Sequence, residues 1–195
     1  MLITEEKIYS IAEYLAFEGT SENKHEYING HIYPMAGGTT NHNQIAGNIY
    51  AELNFTFKRL NYRVYMGDVR LWVPQVKTFT YPDVMIIVGD PEYFDNRTDT
   101  VTNPSIIIEV LSKSTQQYDR ESKFNAYRSI PSFQEYLLFD QTRIYAEHFF
   151  KTGAKSWVFQ EYDLTDESIK FNLVDCQMAL VDIYNKVEFS QSSNE

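Results

Sequence analysis

Cysteine is almost absent. Cys176 stands alone among 195 residues, which rules out an internal disulfide and any cysteine-rich zinc site. Also missing is any apolar stretch near the roughly 18–20 residues needed to cross a bilayer. The opening Met1-Leu2-Ile3-Thr4-Glu5-Glu6 lacks the basic-then-apolar layout of a secretory leader, so the chain is read as cytoplasmic, with no membrane partner. Gly37-Gly38 has no downstream Lys-Ser/Thr, so it is no phosphate-cradling loop and no nucleotide cofactor is expected. No Ser-His-Asp or Cys-His arrangement presents itself. Positive charge is scarce too: 17 Lys and Arg oppose 27 Asp and Glu, for a net charge of −10. That is awkward for a nucleic-acid partner, because phosphate contacts need cations. Two clusters leave room for a local basic surface: Lys58, Arg59 and Arg63, then Lys113, Arg120, Lys123 and Arg128. The plain alternative for both is solvated surface charge.

What is present suits a globular chain. Hydrophobic residues make up 43% and aromatics 15%, enough for one domain over residues 1–195 to bury a sizeable core. No repeat, linker or low-complexity segment interrupts it. Thr4 to Phe17 has helical spacing (Ile8, Ile11, Leu15) with a Thr4 cap and Gly19 as a stop. Asn29-Gly30 between two strand-like segments, within His25 to Tyr33, marks a hairpin. A second helix is expected from Asn43 to Leu60, with Ile45, Ile49, Leu53 and Phe57 on one face. Arg63 to Val73 reads as one strand or hairpin arm, Val69, Leu71 and Val73 alternating against Arg70 and Trp72.

Gly89 to Asn103 reads as a loop, Arg120 to Ser129 as a helix ended by Ile130-Pro131, and Glu135 to Asp140 as a buried strand. Arg143 to Phe150, Trp157 to Tyr162 and Ser168 to Asn172 suggest antiparallel edge strands, and Ser190 to Glu195 a frayed tail. The expected fold is an α/β or α+β sandwich with a mixed central sheet flanked by helices, an N-terminal helix-hairpin and a C-terminal antiparallel β extension.

Two acids stand out against this background. Asp83 opens the run Val84-Met85-Ile86-Ile87-Val88 behind Tyr81-Pro82, and Glu109, 26 positions later, sits inside Ile106-Ile107-Ile108-Glu109-Val110-Leu111. Both runs are short, β-branched and bounded by proline, as strands buried on both faces are. A carboxylate there is costly unless paired or bound to a cation. Two on neighbouring strands would make a hard, oxygen-rich site for Mg²⁺ or Mn²⁺, with the backbone carbonyl of Val110 as a third oxygen. The plain reading of Asp83 is a turn acid after proline; Glu109 is harder to excuse in a central strand.

Asp119, Lys123 and Tyr127 lie at i, i+4 and i+8, so they share one helix stripe and Lys123 can reach the second acid. Asp119 has a rival role as that helix's cap, and Lys123 as an ordinary surface lysine. Glu26 either joins the site or pairs with Lys24 or His31 on the surface. His42, placed before the second helix, is a cap or structural residue on one reading and a phosphate contact on the other.

Together Pro82-Asp83, Glu109-Val110-Leu111-Ser112, Asp119, Lys123 and Tyr127 resemble the bacterial Uma-two family of restriction-endonuclease-like proteins, within the PD-(D/E)XK nuclease superfamily. The resemblance takes in the Glu26-Tyr27-Ile28-Asn29-Gly30 hairpin, His42 and Pro131 to Tyr136, and spans about residues 4 to 185. It implies a Mg²⁺-dependent endonuclease acting on DNA phosphodiesters, with Asp83 and Glu109 as metal ligands. The wider superfamily carries its lysine two residues after the second acid, where this chain has Leu111. Lys123 looks like the migrated replacement. A homodimer follows from two-strand cutting by restriction-type enzymes, although no interface is visible in the sequence. The rival function is a catalytically silent nuclease fold that serves in binding or assembly.

Overall fold

A computed structural model describes residues 7–189. The expected Thr4 cap and the tail Ser190 to Glu195 lie outside the described residues. Helix α1 (Ile11–Glu18) starts instead at a capping box. The Ser10 hydroxyl accepts the Glu13 N–H at 3.2 Å, and the Glu13 carboxylate accepts the Ser10 N–H at 2.8 Å. Ile8 therefore stays 71% exposed, and the residue that α1 buries is Tyr14. Gly19 ends the helix as its spacing predicts.

Strands β1 (His25–Ile28) and β2 (His31–Pro34) form the predicted hairpin. Asn29 and Gly30 hold φ of 45° and 99° at its turn. Gly30 is doubly required, because a Cβ there would lie 2.6 Å from the Ile8 side chain. Helix α2 (Thr40–Thr56) begins three residues before the predicted start, since the Thr39 hydroxyl caps it by accepting the His42 N–H at 3.1 Å. His42 thus stands inside the first turn, not ahead of it. Ile45, Ile49, Leu53 and Phe57 are buried as predicted, each burial contributing about 1.5–3 kcal/mol.

The single arm expected over Arg63 to Val73 is two strands, β3 (Tyr62–Met66) and β4 (Arg70–Val73), in different sheets. Gly67, at φ 60°, turns the chain between them. Arg70 and Trp72 do not alternate outward. Both are buried, Arg70 paired with Asp99 at 2.5 Å and Trp72 stacked on Phe79. Strand β5 (Thr78–Thr80) follows, then β6 (Val84–Val88). The expected loop Gly89 to Asn103 holds a short β7 (Thr100–Val101), and β8 (Ile106–Leu111) comes next.

A continuous helical run comprises α3 (Gln116–Tyr118), a wider π turn over Asp119–Lys123, and α4 (Phe124–Tyr127), so it starts four residues before the predicted Arg120. The remaining elements are β9 (Glu135–Asp140), β10 (Tyr145–Gly153), β11 (Ser156–Asp163), β12 (Ser168–Lys170), β13 (Gln177–Ala179) and α5 (Leu180–Ile183).

The fold is a mixed α+β sandwich. The central sheet runs β11-β10-β9-β8-β6-β3, parallel only between β8 and β9. A second sheet, absent from the sequence expectations, runs β2-β1-β5-β4-β7. In the C-terminal extension only β11 is an edge of the central sheet; β10 lies inside it, and β12 pairs separately with β13. One core packs α2, α5 and the β12-β13 pair on one face of the central sheet, through Ile45, Leu53, Ile108 and Leu137. Another joins the opposite face to the second sheet and α4, through Leu71, Ile107, Tyr127 and Leu138. Tyr14 seals the far side of the second sheet against Tyr27, Trp72 and Phe79.

Candidate active site

Strands β6 and β8 are antiparallel with Val84 opposite Ile108. Extending that register by one residue sets Asp83 opposite Glu109, on the face that α4 covers. The two acids brace each other through the backbone. The Asp83 carboxylate accepts the Val110 N–H at 2.7 Å, and the Glu109 carboxylate accepts the Asp83 N–H at 3.3 Å. His42 Nε2 lies 2.9 Å from the other Asp83 oxygen. Side chains alternate along β8, so Leu111 shares the Glu109 face, but it is buried in the core. The cation arrives from the helix instead.

Lys123 Nζ lies 3.1 Å from Glu109, 3.0 Å from Asp119 and 3.9 Å from Glu26. The predicted stripe is real: Asp119, Lys123 and Tyr127 are all buried, and the Tyr127 hydroxyl donates to Glu109 at 2.8 Å. Asp119 caps nothing, since it lies within the helical run and faces Lys123. Its position in a π turn is characteristic of helices distorted at working sites. Glu26 comes from the second sheet, where the Thr80 hydroxyl donates to it, and joins the site through Lys123, while Lys24 goes to Asp68.

Burial pushes the Glu109 carboxyl up, to about 8, against the pull of Lys123 and with Asp83 and Asp119 adding to the rise. Burial opposes the Lys123 charge, yet Glu109, Glu26 and Asp119 outweigh it and hold the ammonium well above the usual lysine value. Burial likewise opposes a charged His42, and Asp83 wins, raising it. The cluster therefore carries more acid than its one buried ammonium balances.

These groups form the floor of a cleft of about 1410 Å³. Its rim includes the strap Pro34 to Thr39, the Ser112 to Thr115 turn, Lys113 and Lys186. Gly38 lets the strap lie on His42: a Cβ there would come within 3.0 Å of the ring. Among the described residues no group of three or more His, Cys, Asp or Glu is spaced to hold a metal ion unaided. The donor set fits a narrower case. Asp83 and Glu109 offer hard oxygens beside open cleft, and Mg²⁺ characteristically uses one or two carboxylates plus waters and substrate phosphate.

A family model described as "Uma2: Putative restriction endonuclease" matches residues 11–180. This chain belongs to the Uma2 family. It is similar to "Uncharacterized protein sll1609" of Synechocystis sp. (39% identical over 174 residues, 89% of this chain and 98% of that one). It is also similar to "Uncharacterized protein slr1290" of the same organism (30% over 178 residues, 91% and 92%). In structure it resembles "a putative nuclease belonging to DUF820" from Anabaena variabilis, with TM-score 0.72, 16% identity and coverage of 89% of this chain and 96% of that one. That likeness shows the fold. The Uma2 match spans Glu26, Asp83, Glu109 and Asp119 of the acids that line the cleft, and ends before Glu188.

Other residues around the site went unread in the sequence. Thr80 holds Glu26 from a strand too short to show a period. Tyr118 lines the cleft beside Glu26, and burial raises its hydroxyl pKa. Of the second basic cluster, Arg120 is spent on Glu147 at 2.8 Å, Lys123 is buried, and only Lys113 reaches the rim.

Proposed function

We propose that this Uma2 protein is a metal-dependent DNA endonuclease, a cytoplasmic hydrolase acting as one domain over residues 1–195. The observation that carries the reading is Lys123, which meets Glu109 at 3.1 Å from a helix while Asp83 stands opposite on the neighbouring strand. Asp83 and Glu109 would hold Mg²⁺ or Mn²⁺, with the Val110 carbonyl as a further oxygen. Such an ion, when bound, polarises a phosphate and lowers the pKa of water. Lys123 donates toward charge that builds on the scissile phosphate, from a site where burial strengthens each interaction. Tyr127 and Asp119 fix the lysine and Glu109, Glu26 keeps the ammonium charged, and His42 orients Asp83. Lys113 and Lys186 line the route by which a polyanion enters. A homodimer would bring two such clefts to two strands, which sedimentation or size-exclusion can check.

Supercoiled plasmid incubated with Mn²⁺ should be nicked by the wild type and left intact by Asp83→Ala. Calorimetric Mg²⁺ or Mn²⁺ binding should vanish in Glu109→Ala; unchanged binding there removes the metal reading. The silent-module alternative draws on one observation, that both Asp83 oxygens already have protein partners. Persistent absence of nicking in the wild type would favour it.

A further inference from the structure

Basic residues are not spread evenly over this acidic chain. Between His31 and Gly67, Lys58, Arg59 and Arg63 face a lone acid, Glu52. All three cations are exposed at the end of α2 and the start of β3. Among the described residues Lys58 and Arg59 make no ion pair, and Arg63 only approaches Asp90 at 4.0 Å. Lys58 and Arg63 line a groove of about 570 Å³ whose wall includes Tyr50, Tyr62 and Phe55, a volume within the range of about 300–1,000 Å³ typical of ligand sites; Arg59 follows Lys58 in the chain, beside that lining. Phe55 is 76% exposed, which burial energetics leave unexplained for an aromatic on a helix with a well-packed opposite face. Cations beside one exposed ring, with Tyr50 and Tyr62 half-buried behind it, suit one kind of ligand: phosphates take the charges and an unpaired base stacks on the ring. The groove lies toward the opposite end of α2 from His42, with Phe55 about 20 Å along the helix.

We infer that this groove binds a single-stranded stretch of nucleic acid, with phosphates on Lys58, Arg59 and Arg63 and a base on Phe55. The choice of nucleic acid among polyanions rests on the nuclease reading of the cleft; the groove's geometry does not. A duplex satisfies the charges but leaves the ring idle, whereas an acidic peptide needs no flat partner for Phe55. The site would then hold an unpaired strand about 20 Å along α2 from His42, ahead of or behind the bond in the cleft.

The test is fluorescence anisotropy of a labelled 15-nucleotide oligothymidylate in EDTA, where no cleavage can intervene. Wild type and Asp83→Ala should bind alike, and more tightly than either binds the matching 15-base-pair duplex. Phe55→Ala, at an exposed position that folding does not need, should weaken binding about 10-fold. K58E/R59E/R63E should weaken it further and flatten the salt dependence by about two in log–log slope, as expected for three lost phosphate contacts to a single strand. Undiminished binding by Phe55→Ala, equal binding of the duplex, or equal competition by poly-glutamate overturns the inference, as does failure of the wild type to bind the oligonucleotide. Plasmid nicking reports separately on the cleft, so a protein that cuts without this groove, or binds without cutting, tells the two readings apart.

Discussion

Two glutamates are buried in adjacent strands of the central sheet and face opposite ways. Glu135, on β9, is sealed: His148 Nε2 lies 2.6 Å away, and the N–H groups of Asn172 and Leu173 donate at 2.8 and 3.0 Å. Both side chains of that Glu135–His148 pair have no exposure. Glu109, on β8, borders the cleft and shares its cation with two other acids. One of its oxygens takes Lys123 and Tyr127, and the other has only a 3.3 Å contact. A buried carboxylate is thus not by itself a site. Glu135 is a clasp that holds the loop between β12 and β13, each of its oxygens held by a contact of 3.0 Å or shorter and sealed from solvent. Glu109 keeps capacity to spare beside open space, among acids that repel it.

Neutralising each glutamate should separate these roles, and the largest effect falls on activity. Glu109→Gln should reduce plasmid nicking by about 10³-fold or more, the loss of several kcal/mol of metal-derived stabilisation. It should leave the unfolding free energy within about 1 kcal/mol of the wild type, because one of several repelling acids is gone. Lys123→Met comes next, with about 10²–10³-fold lower nicking and a lower melting temperature, since three carboxylates lose their shared cation. Glu135→Gln should do the reverse of Glu109→Gln. It costs about 3 kcal/mol in urea unfolding, as charge-assisted bonds to His148 and two backbone N–H groups weaken, while folded protein retains full nicking. Equal stability losses for Glu109→Gln and Glu135→Gln would erase the distinction.

That distinction was only half legible in the sequence. Asp83 and Glu109 were readable because each interrupts or opens a β-branched run where a charge is costly, and Lys123 because helical periodicity carries it from Asp119 to Tyr127. Glu135 opens an equally apolar run, yet nothing local announces that His148 and a loop 37 residues away satisfy it. Glu26 depended on a three-residue strand, β5, which has no period to read. The split of Arg63 to Val73 between two sheets turned on Gly67, and the burial of Arg70 on Asp99, 29 residues distant. Local chemistry marked what is expensive to bury. Long-range pairing decided what had been compensated.

A third pair, Arg70 with Asp99, sets the lower end of that scale and gives the smallest effect. Burial alone would raise the Asp99 carboxyl, but hydrogen bonds from Arg97 and Thr100 and the charge of Arg70 win and lower it to about 2. A carboxyl depressed by folding contributes stability that is complete above its unfolded value, near 4, and is lost as pH falls toward 2. The Asp99 side chain is 48% exposed, so solvent and salt screen much of that contribution. Urea unfolding of wild type and Asp99→Asn should therefore differ modestly at pH 5 and converge by pH 2, the gap shrinking further in high salt. A gap that persists undiminished at pH 2 would mean that Asp99 acts through shape rather than charge, and that exposure does not grade these pairs as Glu135 and Glu109 suggest.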